Sequence, residues 1–213
     1  MDSRQKIIEE AAKMFRTYGI RSVTMDMLAG QLGMSKRTIY EIFSDKNELL
    51  DGVLAWMAEK QHRLFADIMQ GTENVIEAIF KMLDVMAEHF RNMSPAFVLD
   101  IKKYYSDIFI RIRDSGEIPY YGDNTDILLR GIKEGLFRKD IDISITNKCM
   151  VEVVRMSNEK DILNDDNFKS EDIIRNFYIN YLRGISTQKG LDLINFYEKK
   201  RTTSGRAKRN IQK

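Results

Sequence analysis

Residues Thr24 to Leu50 read TMDMLAGQLGMSKRTIYEIFSDKNELL, with the spacing of two short helices that meet at a turn. Leu28, Ala29 and Leu32 recur at helical intervals and define one apolar face, and Ile39, Ile42 and Phe43 define another. Thr24 and Ser35 each precede a helical run, where a side-chain oxygen can accept from amides that have no partner inside the helix. Gly33 falls where the first of the two helices must end, a place often filled by a left-handed backbone that glycine adopts without steric cost. Ala29 is small where the helices cross, since a bulky residue would force the axes apart. With Ile39 turned to the interior, Lys36, Arg37, Thr38 and Tyr40 remain at the solvent-facing start of the second helix. Two cations, a hydroxyl and a phenol at the N-terminal end of a helix suit entry into a DNA major groove.

Upstream of this segment, Ile8, Ala11, Ala12 and Phe15 form one apolar stripe and predict a helix from about Ser3 to Tyr18, with Gly19 as its C-terminal cap. Residues 1–46 therefore read as a three-helix, helix-turn-helix DNA-binding domain. So small a unit has a marginal core and is expected to lean on the helices C-terminal to it. Downstream, Asp45-x-x-Glu48 resembles a capping box and opens a helix reaching about Met69. No flexible linker separates head from body, so the two are expected to be mechanically coupled.

Residues 47–198 read as a helical ligand-binding and dimerisation domain. A broad apolar face runs from Val75 to about Arg91. Ser94 caps the next helix, with Pro95 at its first position, and that segment extends to Gly116, broken near its middle. A turn at Pro119–Gly122 precedes a helix from Asp123 to Leu136. Ser144 or Thr146 starts another, to about Asn158, and the acidic stretch NEKDILNDDNFK reads as a loop. Ser170 caps a further helix, followed by a shorter one ending near Tyr197. The expected class is all-α, with about nine to ten helices.

Composition agrees with a packed helical protein. Of 213 residues, 43% are hydrophobic and only 2 are proline. A single cysteine, Cys149, excludes an intramolecular disulfide framework and suits a reducing cytoplasm. The sequence has no run of 18 apolar residues, and its charged amphipathic start, MDSRQKIIEEAAK, is neither a signal peptide nor a membrane span. The net charge of +2 conceals an asymmetry: seven of the 34 lysines and arginines lie between Lys199 and Lys213, with no acid among them. Residues 1–198 thus carry 27 cations against all 32 acids, a net −5. Contact with DNA must come from a local basic patch, and residues 199–213 are expected to be a basic, disordered tail.

The run Gly33-Met34-Ser35-Lys36-x-Thr38-Ile39-Tyr40-x-x-Phe43-x-x-Lys46, with Phe15-x-x-x-Gly19 before it, resembles the N-terminal domain of the TetR family of bacterial transcriptional regulators. The likeness runs from Ile7 to about Leu54, a quarter of the chain; the stretch GIKEGLFRKDID is a weaker cue. The resemblance implies a two-domain, all-α homodimer with a variable ligand domain, repressing transcription until a small molecule releases it from a palindromic operator. On matching positions it implies that Thr24 touches phosphate and that Ser35, Lys36, Arg37 and Thr38 lie at the groove. Arg37 then either reads a base or holds a phosphate. Tyr40 would meet a phosphate or a thymine methyl, and Lys46 would clamp the DNA backbone. Glu41 departs from this pattern, because an acid near the groove repels phosphate or accepts from cytosine.

Two further residue sets are candidates. Trp56, Met82, Met86, Phe90, Tyr105 and Phe109 are large, adaptable side chains on the helices expected to surround an effector cavity. Phe177, Tyr178, Tyr181, Leu182 and Ile185 form a helical stripe expected at the dimer interface, with tyrosine hydroxyls left wet. Ordinary core packing is the alternative for both sets, and the stronger one for the effector set. With one cysteine, two distant histidines and no glycine-rich phosphate loop, the sequence offers no nucleophile–base pair or metal cluster, and no enzyme activity, cofactor or metal is expected. A transcriptional activator and a helical protein-interaction adaptor are the alternatives on this fold.

Overall fold

The computed structural model describes residues 2–115, 122–159 and 170–210. Among them are eleven helices: α1 Ser3–Tyr18, α2 Met25–Leu32, α3 Lys36–Ile42, α4 Lys46–Gln70, α5 Val75–Arg91, α6 Pro95–Tyr104, α7 Ser106–Asp114, α8 Thr125–Lys133, α9 Ile143–Glu159, α10 Ser170–Ile185 and α11 Gln188–Asn210. The chain is all-α, and an isolated antiparallel bridge pairs Phe137 with Ser186. The turn expected near Pro119 and the loop expected after Asn158 fall largely outside the described residues.

Two compact units emerge: residues 1–64 with 88–119, and residues 65–87 with 120–213. In the first, Ile7, Ile8, Ala11 and Phe15 of α1 are buried with Leu28 and Ala29 of α2, Ile39 of α3, Phe43, and Leu49, Leu50 and Val53 of α4. Phe97, Ile101 and Ile112 join the same core. A three-helix head gains from α6 and α7 the apolar cover that it is too small to provide for itself. Asp100 of α6, only 7% exposed, accepts the Arg21 backbone N–H at 2.8 Å, and the Ser94 amide donates to the Arg16 carbonyl at 2.9 Å. Both bonds fix the turn between α1 and α2.

The helix starts follow local hydrogen bonding. Ser94 accepts from the Phe97 amide, with Pro95 at the first helical position, as its sequence suggests. The α6–α7 break falls at Tyr105. The box opening α4 is offset by one residue: Asp45 Oδ1 accepts from the Asn47 and Glu48 amides, while Glu48 reaches back to the amide and hydroxyl of Ser44. Those Ser44 bonds hold the Glu48 carboxyl below its ordinary value. Helix α9 starts before Ser144 because the Asp142 carboxylate already accepts from the Ile145 amide at 3.0 Å.

In the second unit, Val75, Ile76 and Phe80 of α5 are buried, as are Leu128, Leu136, Phe137, Met150, Ile179, Leu182 and Ile194. Gly131 of α8 lies under the Phe137 ring, whose nearest carbon would be 2.0 Å from an added Cβ. This approach holds the turn after α8 against the bridge, where Arg138 N–H donates to the Ile185 carbonyl and Thr187 N–H to the Leu136 carbonyl, both at 2.9 Å. The Arg130 guanidinium gathers the Met69 carbonyl, the Thr72 carbonyl at 2.8 Å and the Glu134 carboxylate at 2.6 Å. Arg130 thereby ties the end of α4 to α8. One expectation is corrected here: the last helix does not end near Tyr197 but runs on through most of the basic stretch to Asn210. That stretch has no proline, and its lysine, arginine and alanine residues are good helix formers.

Candidate nucleic-acid interface

Thr24 stands before α2 in extended conformation (φ −98°, ψ 161°), and its hydroxyl oxygen accepts from the Met27 amide at 3.1 Å. Gly33 ends α2 in the left-handed region (φ 62°), which frees the Met34 amide to close on the Ala29 carbonyl at 3.0 Å. Ser35 repeats the cap at α3: its Oγ accepts from the Thr38 amide at 3.1 Å and lies 2.9 Å from the Thr38 hydroxyl. Ile39 and Phe43 are both fully buried, which fixes the rotation of α3 about its axis. That rotation exposes Lys36, Arg37 and Tyr40 and leaves Thr38 half-exposed. Thr24, Ser35, Lys36, Arg37, Thr38 and Tyr40 thus occupy one helix-turn-helix, with the polar tip on the outside.

Each tip cation is held by a carboxylate. Lys36 Nζ lies 2.7 Å from Asp26 Oδ2 of α2, and this bond raises the amine above its ordinary pKa. Arg37 Nε donates to Glu41 Oε1 at 2.9 Å within α3. Residue-type reading missed both pairs. The second was visible in the i,i+4 spacing of opposite charges; the first spans ten residues across a turn and has no such signature.

Lys46 behaves differently from the other cations. Its amine donates to the carbonyl of Val23, immediately before the α2 cap, and lies 5.9 Å from the centre of the Phe15 ring. Burial, chiefly, lowers its pKa, with nearby Asp100 opposing and Arg21 adding to the effect. Lys46 therefore anchors the entrance of α2, whatever further contact its remaining donors make.

The effector candidates divide between the units. Trp56, Tyr105 and Phe109 are half-buried against the core of the first unit. Met82 and Met86, each 7% exposed, belong to the second. The Phe90 side chain lies outside the described residues. The proposed dimer stripe also divides. Leu182 (1% exposed) and Ile185 (7%) are taken up by packing within one chain, whereas Phe177 remains 37% exposed with its ring stacked 6.0 Å from that of Tyr181. The Tyr181 hydroxyl is not free in solvent: it donates to the Thr146 carbonyl of α9 at 2.9 Å. Burial pushes the hydroxyl of Tyr178 well above its usual range.

Residues 7–53 match the family model of bacterial regulatory proteins of the tetR family. The head of the chain is that of a TetR-family regulator. It is 26% identical over 150 residues to the HTH-type transcriptional repressor KstR2 of Mycobacterium tuberculosis, spanning 67% of this chain and 72% of that one. An uncharacterized HTH-type transcriptional regulator of Bacillus subtilis, YhgD, is 30% identical over 93 residues, 42% of this chain and 49% of that one. A transcriptional regulator of Cytophaga hutchinsonii shares the fold with a TM-score of 0.68 at 20% identity, covering 86% of this chain and 98% of that one. The matched segment contains the caps, the Gly33 turn and the exposed tip of the TetR-family head. No described helix is long and apolar enough to cross a membrane.

Proposed function

We propose that this chain is a homodimeric, cytoplasmic repressor of the TetR family that occupies a palindromic operator and is released by a small-molecule effector. The observation that carries the reading is the orientation of α3: with Ile39 fully buried, Lys36, Arg37 and Tyr40 face solvent together, at the end of the helix that Ser35 caps. Ser35, Thr38 and Thr24 supply short donors for phosphate oxygens, and Lys36, Arg37 and Tyr40 supply the longer reach. One such helix contacts few base pairs. Two of them, about 34–36 Å apart in a two-fold dimer, read two half-sites one helical turn apart. Phe177 of α10, with the half-buried Tyr181 ring stacked beside it, supplies aromatic area for the dimer contact.

Repression is supported by the relative named a repressor. Effector release requires a ligand that binds the DNA-incompetent arrangement more tightly, because equal affinity for both arrangements shifts nothing. Trp56, Tyr105 and Phe109, half-buried in the first unit, are adaptable side chains available to such a ligand. The catalytic class has no support from the family, whose members are DNA-binding regulators.

Selection of bound sites from random double-stranded DNA tests this reading directly. A two-fold symmetric consensus is expected, and Arg37→Ala combined with Lys36→Ala should abolish its retention. A chain that binds every sequence equally, or none, is an adaptor and not an operator reader. Placing the selected site over or upstream of a reporter promoter then separates repressor from activator.

A further inference from the structure

Glu41 of α3, like Asp26 of α2, opposes DNA binding at the tip by charge, and it is bonded to the cation best suited to read a base. It lies one turn beyond Arg37 on α3, with Oε1 2.9 Å from Arg37 Nε, and both side chains are well exposed, at 88% for Arg37 and 59% for Glu41. An exposed pair at this spacing contributes little to folding, so stability gives no strong reason for an acid at this position. The donor arithmetic of arginine gives another. The guanidinium carries five N–H groups in a planar fork, and the bond to Glu41 uses the one on Nε. The two terminal nitrogens remain free, and together they match the O6 and N7 acceptors of guanine in the major groove.

We propose that Glu41 is a positioning residue that presents Arg37 end-on to a guanine and so sets the specificity of the head. The inference rests on the DNA-binding reading above. Two physical effects act together. The carboxylate holds the arginine in one of its many rotamers before binding, so less conformational freedom is lost on docking. Its negative charge also repels phosphate, which penalises backbone contact by the same arginine and weakens sequence-independent binding. Glu41 gives up affinity for arbitrary DNA in return for discrimination at one base pair in each half-site.

The test uses the full chain, the operator obtained by random-site selection, and single-base-pair variants of it, with dissociation constants measured at two salt concentrations for wild type, Arg37→Ala, Glu41→Ala and Glu41→Gln. Arg37→Ala should lose at least about fivefold discrimination at one base pair per half-site. Glu41→Ala should lose most of that discrimination at the same base pair while binding unrelated DNA more tightly. Glu41→Gln should retain part of it, because its amide oxygen still accepts from Nε. The proposal is overturned if Glu41→Ala keeps full discrimination at the Arg37 base pair. It is equally overturned if the loss appears at a different, cytosine-bearing pair, which would make Glu41 a direct reader. Thermal melting of each variant guards against misfolding. A wild type that selects no site removes the operator reading and this one together; a selective wild type with an indifferent Glu41→Ala removes only this one.

Discussion

The carboxylate of Asp100, on α6, accepts the backbone N–H of Arg21 at 2.8 Å, across 79 residues of sequence. Arg21 lies three residues before the cap of α2, and its guanidinium stacks 4.1 Å from the centre of the Tyr104 ring. The turn that aims the helix-turn-helix is thus held from α6 as well as by its own caps. Asp100→Ala leaves the Arg21 amide without its partner in a part-buried setting, which costs about 1 kcal/mol. Chemical denaturation should show that loss. Operator affinity should fall with it, although Asp100 itself is buried away from the tip. Unchanged stability in Asp100→Ala would mean that water replaces the carboxylate at no cost.

His89 gives the fold a defined acid sensitivity. Burial, and next the positive charge of Arg16, lower its pKa from 6.5 to about 4. The folded state therefore keeps the ring neutral, while the unfolded chain takes up a proton near pH 6.5. Between those values the unfolded state binds more protons, so stability rises with pH. The full contribution is present above pH 6.5 and is lost as pH falls towards 4, amounting to roughly 2–3 kcal/mol across the window. Urea midpoints measured from pH 7.5 to 4.5 should fall more steeply for wild type than for His89→Gln. Parallel curves would remove His89 as the source.

How much was legible in the sequence depends on the range of the forces involved. Thr24, Gly33 and Ser35 act on backbone groups within three or four residues, and the structure places all three in the expected conformations. The all-α class and the burial of Ile39 and Phe43 follow from periodicity alone. The contacts of Asp100 with Arg21 and of Lys46 with Val23 join distant segments and leave no local trace. For α9, Asp142 outcompeted Ser144 because both are good caps and only tertiary context decides between them. The dimer stripe illustrates the same limit: one 3.6-residue period holds both Leu182, which packs inside, and Phe177, which does not.

Gly131 tests the packing of the second unit. Replacing glycine by alanine inside a helix normally gains about 1 kcal/mol. Here the added methyl would meet the Phe137 ring at 2.0 Å, and that ring is 1% exposed with no room to swing away. Overpacking of a closed core costs about 1–3 kcal/mol, so Gly131→Ala should lower the melting temperature. A paired Phe137→Leu change, which withdraws the ring, should recover part of the loss; a stabilised single variant would show that the α8 turn can open.

Phe177 and Leu182 lie on the same helix and should respond in opposite ways. Leu182 is buried within one chain, so Leu182→Ala removes packed volume and should cost about 2–5 kcal/mol of folding stability. Phe177 keeps more than a third of its surface in solvent, and a glutamate there is tolerated by an isolated chain. In the dimer proposed above, the same glutamate would bury an unpaired charge against its symmetry mate, which an apolar interface core does not accommodate. Light scattering coupled to size exclusion should therefore report a folded monomer for Phe177→Glu at micromolar concentration, with operator affinity greatly reduced because each half-site is then bound separately. If Phe177→Glu remains dimeric, the two-fold contact lies elsewhere on the second unit, and the exposed Ile145 of α9 and Leu129 of α8 are the next positions to substitute.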